Sequence, residues 1–189
     1  PLVGQAYLEK LSDSLGAERV RKPGRFFQRG VKFRSICSRC NSELLGLGYD
    51  PTLIDFCKSL HATLPQRVYL PITCRVRINR LMRAFVGHTL SHGLGLHRTG
   101  KMFDQLTDYF LDQTANFPSD LRAYCWVYPY KSQVVARGLG RVTGLESVGE
   151  PLIFSLLKFY PIGFVCSSAD MPLDEAPLVC RVDHLCTSQ

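Results

Sequence analysis

The spacing of apolar positions changes twice along the chain. From Leu2 to about Leu15, the apolar residues Leu2, Ala6, Leu8, Leu11 and Leu15 recur at roughly helical intervals before Gly16, which predicts a short amphipathic helix. Val31, Phe33 and Ile36 then form an apolar, β-branched approach that predicts a short strand, and Asn41-Ser42-Glu43-Leu44-Leu45 reads as the start of a helix. Gly46-Leu47-Gly48-Tyr49 marks a break. Asp50 at the N-cap and Pro51 at the first helical position then start a helix whose Leu53, Ile54, Cys57 and Leu60 share one face. Pro65 and Pro71 bound an extended connection. Arg75 to His92 predicts the longest helix, with Ile78, Leu81, Met82, Phe85 and Thr89 turned inward. A further helix is expected from Lys101 to about Thr114, with Asp104, Asp108 and Asp112 as a solvated acidic stripe.

From Leu121 the period shortens. Segments around Ala123–Tyr128, Gln133–Val142, Leu152–Leu157 and Gly163–Cys166 are β-prone and separated by proline, glycine and polar turns, which predicts an antiparallel sheet. Helices first and a sheet last make an α+β protein. The expected organisation is a cysteine-bearing unit over residues 1–64, followed by a helical and antiparallel β extension over 65–189.

Composition narrows the class. At 189 residues and 46% hydrophobic, the chain can fill one good core with an appended unit, and 21% charged residues fit an ordered protein. No apolar run reaches the roughly 18 residues of a membrane span. Gln5, Glu9 and Lys10 interrupt the first residues, unlike a signal peptide, so a cytoplasmic protein with reduced thiols is expected. Pro1 in place of Met points to processing or to a fragment. Cys57, Cys74, Cys125 and Cys166 each stand alone among apolar residues, as small buried hydrophobes do.

The formal charge of +7 is unevenly spread. Between Arg19 and Arg39 there are eight Lys or Arg and no acid, and the same holds between Lys58 and Lys101. Two such blocks favour a polyanionic partner, nucleic acid, with Arg25, Arg29, Lys32, Arg34 and Arg39 as the phosphate contacts on charge density. Phe26 and Phe27 inside the first block suit either core anchors or base stacking.

The chemistry is concentrated at Ser35-Ile36-Cys37-Ser38-Arg39-Cys40-Asn41. Two thiols separated by two residues can enter one tight turn, which is half of a tetrahedral zinc site. No Cys or His precedes Cys37, so the remaining donors lie downstream, on another chain, or on a further segment. Candidates are His88 and His92, four apart on one helical face, and the cluster Cys180-Arg181-Val182-Asp183-His184-Leu185-Cys186.

At Cys37-Ser38-Arg39-Cys40-Asn41, with a basic loop and strand before it and a helix after it, the chain resembles the HNH endonuclease-like proteins, which have a ββα-metal, treble-clef core. Tyr49-Asp50-Pro51 and Phe159-Tyr160-Pro161 resemble extensions of bacterial and phage members. The resemblance covers about 30 residues. It implies that Cys37 and Cys40 are structural Zn²⁺ ligands and that Asn41 occupies the last position of the HNH motif, helping to hold a catalytic Mg²⁺ or Mn²⁺ for phosphodiester hydrolysis. The family's first Cys pair and its acid-His pair would lie N-terminal to this stretch, where the sequence has neither. The implied partner is nucleic acid, DNA ahead of RNA, without a membrane, and a homo-oligomer is compatible. Two further readings stay open: a non-catalytic zinc-stabilised nucleic-acid-binding module, and an α+β interaction domain in which Cys37 and Cys40 are free thiols or a redox pair.

Overall fold

The computed structural model describes residues 6–8, 25–27, 36–64, 73–91, 100–143, 148–171 and 179–186, with the backbone alone at 6–8, 25–27, 137–143 and 148–151. The chain divides into two compact units, Pro1–Phe33 and Arg34–Gln189. In the first, β1 (Ala6–Leu8) pairs antiparallel with β2 (Arg25–Phe27), Ala6 opposite Phe27. The helix expected from Leu2 to Leu15 is therefore replaced by a strand at residues 6–8. Ala6 and Leu8 are two apart, the one step in the expected helix that fits a strand face rather than a helical one, and Phe26-Phe27 supplies a β-prone partner.

The second unit is α+β, with its helices preceding the sheet. A wide-turned helix α1 (Cys40–Tyr49) leads directly into α2 (Asp50–Thr63), followed by α3 (Ile78–Ser91) and α4 (Lys101–Leu111). The sheet is built from β3 (Arg122–Val127), β4 (Val134–Thr143), β5 (Val148–Phe159), β6 (Ile162–Ser167) and β7 (Val179–Arg181), in the order β4-β5-β6-β3-β7, every neighbour antiparallel.

The break expected at Gly46-Leu47-Gly48-Tyr49 is absent. The backbone amide of Asp50 donates to the carbonyl of Leu45, five residues back, so these residues close π-type turns, and the chain passes into α2 with Asp50 itself helical (φ −56°, ψ −35°). A Cβ on Gly46 would lie 3.2 Å from the Asn41 carbonyl oxygen, and one on Gly48 3.3 Å from that of Glu43. Both contacts are tighter than usual, so the glycines accommodate the wide turns rather than ending the helix. Buried Leu45 and Tyr49 hold the stretch in place, the Tyr49 hydroxyl donating to the Phe110 carbonyl at 3.2 Å.

Helix α3 is the central element. Leu81 through Gly87, with Thr89 and Leu90, are all buried, so the middle of α3 is covered on every side while Arg80 in its first turn is exposed. Phe85 stacks on Phe164 of β6 at 4.5 Å between ring centroids, which fastens the helical layer to the sheet. Gly87 marks a close crossing: a Cβ there would come within 2.6 Å of the Phe110 ring and 2.7 Å of Leu45. Arg83 is the one charged residue among the described buried groups. Its Nη2 donates to the Asp112 and Ala115 carbonyls, each at 2.8 Å, and its guanidinium lies 4.0 Å from the Tyr109 ring centroid. This cation caps the C-terminal end of α4, where the helix dipole is negative.

In the sheet, all six residues of β6 are buried. Trp126 of β3 faces Gly163 of β6, and a Cβ on that glycine would meet the indole Nε1 at 2.6 Å, so the ring lies across the space a side chain would fill. The chain beyond β7 stays ordered through the Asp183–Leu185 turn. The Val182 amide donates to the Ala123 carbonyl at 2.8 Å, and the Asp183 carboxylate accepts from the Ala123 amide at 3.1 Å.

Two substitutions test this core. Gly87→Ala should lower the urea midpoint, because overpacking of about 1–3 kcal/mol outweighs the roughly 1 kcal/mol gain in helix propensity. Arg83→Met should cost about 2–3 kcal/mol by stranding two carbonyls, a fall in melting midpoint of roughly 5–10 °C by calorimetry.

Candidate functional site

The segment before α1 is shaped by its own backbone. Ile36 bends the chain, and the Asn41 amide donates to the Cys37 carbonyl at 2.9 Å, closing the first helical turn. Within that turn the Cys40 amide donates to the Cys37 thiol sulfur at 3.2 Å, so Cys37 takes the capping role usually filled by Ser or Asp. Ile36, Cys40 and Leu44 pack against the core, which anchors the turn from below while Cys37 faces solvent.

The two thiols are electrostatically unlike. Hydrogen bonds from the Cys40 thiol and amide stabilise the Cys37 thiolate and pull its pKa below the ordinary thiol value. The Cys40 thiol, donating to its neighbour and partly desolvated, is pushed up. They titrate as a pair, and the first proton leaves from Cys37. As a donor set this is two thiols in one turn, chemically suited to Zn²⁺ and half of a tetrahedral site. Among the described residues, no cluster of three or more His, Cys, Asp or Glu is placed to hold a metal.

The other residues singled out from sequence are scattered. Asn41 is exposed, one residue past Cys40. Arg39 is exposed and pairs with Glu43 at 3.4 Å, an i, i+4 surface contact of little energetic weight. Arg25 lies in β2, while Arg29, Lys32 and Arg34 lie outside the described residues. Of the strand expected through Val31, Phe33 and Ile36, only Ile36 is described, and it sits in a bend. His88 is committed elsewhere: its Nε2 lies 3.0 Å from the Asp50 carboxylate, tying the last turn of α3 to the first turn of α2. His92 lies outside the described residues.

The tail cluster separates. Cys180 is exposed on β7, opposite Cys125 of β3, whereas Cys186 is buried with its thiol directed at the Val182 carbonyl. Burial pushes the Cys186 and Cys57 thiols up to about 11, as expected of packing residues. Cys166 is fully buried, while Cys57, Cys74 and Cys125 are partly so.

A second feature has no local sequence signal. A cleft of about 580 Å³ opens between α2, the end of α3 and the β5–β6 turn, lined in part by Leu53, Cys57, His61, His88, Phe159 and Tyr160. The His61 Nδ1 lies 2.7 Å from the Tyr160 hydroxyl across 99 residues of sequence, and Asp50 meets His88 across 38. Sequence alone marks Asp50 as a helix cap, and only the packing of α2 on α3 turns it into an imidazole partner.

No family model, curated protein or solved structure matches this chain.

The asymmetry of the thiol pair predicts its reactivity. Because the Cys37 pKa lies below that of Cys40, iodoacetamide should modify Cys37 first, and at lower pH than an ordinary thiol, as read by peptide mass spectrometry. Equal rates, or Cys40 reacting first, would contradict the hydrogen-bonding described above.

Proposed function

We propose that this chain is a zinc-stapled protein that binds nucleic acid, DNA ahead of RNA, and serves metal-dependent phosphodiester hydrolysis of the HNH-like type. The observation carrying the reading is the position of Cys37-x-x-Cys40. Cys37 caps the start of a helix whose inner face is packed and Cys40 opens it, with the Cys40 amide supporting the Cys37 thiolate. That arrangement holds two soft, anion-forming donors at fixed separation before any metal arrives, which lowers the ordering cost of binding.

In this reading Cys37 and Cys40 hold structural Zn²⁺, and donors from beyond the turn, including those of a second copy, complete it. Asn41 follows on the exposed side of the same turn and takes the position that the HNH resemblance assigns to a group holding Mg²⁺ or Mn²⁺. A bound divalent ion would supply positive charge to the scissile phosphate. The net charge of +7 draws a polyanion toward the site. A dithiol that must stay reduced to take zinc fits a reducing compartment, the cytoplasm.

A second reading is favoured by the opposed pKa shifts of the pair. An exposed, stabilised thiolate next to a protonated partner at a helix start is the arrangement of a dithiol that exchanges with disulfides. Cys37 would attack a substrate disulfide, Cys40 would resolve the mixed disulfide, and both electrons would leave with the released dithiol.

Elemental analysis separates the two. The purified chain should carry about one zinc, lost in Cys37→Ser, and the zinc-loaded chain should nick duplex DNA when Mg²⁺ or Mn²⁺ is added. A metal-free chain whose Cys37 and Cys40 oxidise to a disulfide with glutathione disulfide would replace the zinc reading with the dithiol one.

A further inference from the structure

The described arginine side chains fall into two groups. Arg39, Arg122 and Arg181 pair with carboxylates, and Arg83 is spent on backbone carbonyls inside the core. Arg75, Arg77 and Arg80 are exposed, and among the described residues none of them meets a carboxylate. Their placement follows from the backbone. Residues 73–77 run extended with alternating burial: Cys74 and Val76 turn onto the core, so Arg75 and Arg77 share the outward face. Two residues of extended chain separate them by roughly 6.6 Å.

The row continues into α3. The Arg77 carbonyl accepts from the amides of Arg80 and Leu81, each at 3.0 Å, so Arg77 stands at the helix start and Arg80 one turn along. The first turn of α3 contains no acid, and the positive end of the helix dipole adds to the arginine charge. Meanwhile the opposite, inward side of α3 is buried in the core, which fixes the row on a rigid support.

Resting on the nucleic-acid reading above, we propose that Arg75, Arg77 and Arg80 form the face that tracks the phosphate backbone of a nucleic acid, in addition to the basic block around Arg25–Arg39. Arginine forks match phosphate oxygens in geometry, and a linear row of cations that meet no carboxylate among the described residues suits a linear polyanion. An acidic protein or an anionic lipid surface would need neither the row nor its rigidity.

The test compares the full chain with the triple variants Arg75→Gln/Arg77→Gln/Arg80→Gln and Arg75→Lys/Arg77→Lys/Arg80→Lys. Binding to a fluorescent duplex DNA and to the matching single strand is followed by anisotropy between about 50 and 200 mM salt. All three positions are exposed, so both variants should keep the parent melting curve. The Gln variant should lose more than tenfold in affinity at low salt and lower the log–log salt slope by about 2–3, close to 0.9 per lost contact on duplex. The Lys variant should keep most of the slope. Binding by the parent chain with an unchanged slope in the Gln variant would overturn the row and leave the nucleic-acid reading standing. No binding by the parent chain, or binding only to anionic vesicles, would overturn both.

Discussion

The buried middle of helix α3 carries one charge, Arg83, whose Nη2 and ring-facing guanidinium are engaged while its Nε meets no hydrogen-bond partner among the described residues. Arg83 reaches out of the helix to the carbonyls that follow α4 and lies against Tyr109, so the desolvation of a guanidinium is offset by two charged hydrogen bonds and a ring face. Once that contact fixes α4 against α3, Phe85 is free to stack on the sheet, and Gly87 lets Leu45 and Phe110 meet at the crossing. The cysteine-bearing turn depends on the same packing, since α1 reaches the core through Leu45 and Tyr49. A helix with a polar stripe in place of α3 would leave α1 without a seat.

The long periodic elements were legible in sequence because their burial pattern is local. Of the expected inward residues, Leu81, Met82, Phe85 and Thr89 are buried and Ile78 half-buried, in a helix that begins at Ile78 rather than Arg75; the acidic stripe at Asp104, Asp108 and Asp112 is solvated, and the four β-prone segments all become strands of one antiparallel sheet. What was not legible depends on partners far away in sequence. Gly46 and Gly48 signal a break by local propensity, and only the packing of Leu45 and Tyr49 against α3 and α4 keeps the helix running through them. Leu2–Ala6 and Leu8–Leu11 have helical spacing, but the two-residue step from Ala6 to Leu8 has that of a strand, and pairing with β2 chose the strand.

The candidate site shows the same division. The spacing of Cys37 and Cys40 was visible at once, but the inequality of the two thiols was not, because it arises from the Cys40 thiol and amide both turning onto the Cys37 sulfur. The histidines show one half of this, since His92 lies outside the described residues. His88 and His92 share a helical face in sequence, yet His88 is drawn toward Asp50, a residue that reads locally as a cap. Sequence spacing reports which groups can converge, and tertiary packing decides which of them do.

β7 is only three residues long, yet it occupies the outer edge of β3, and the Val182 and Asp183 contacts continue its grip on Ala123. β3 itself is Arg122-Ala123-Tyr124-Cys125-Trp126-Val127, a run rich in aromatic and apolar residues. Without its short neighbour it would present an open ladder of amides and carbonyls with strong sheet-forming side chains, a template for stacking one copy on another. A strand of three residues thus closes the middle of an edge that would otherwise be open to pairing with another copy.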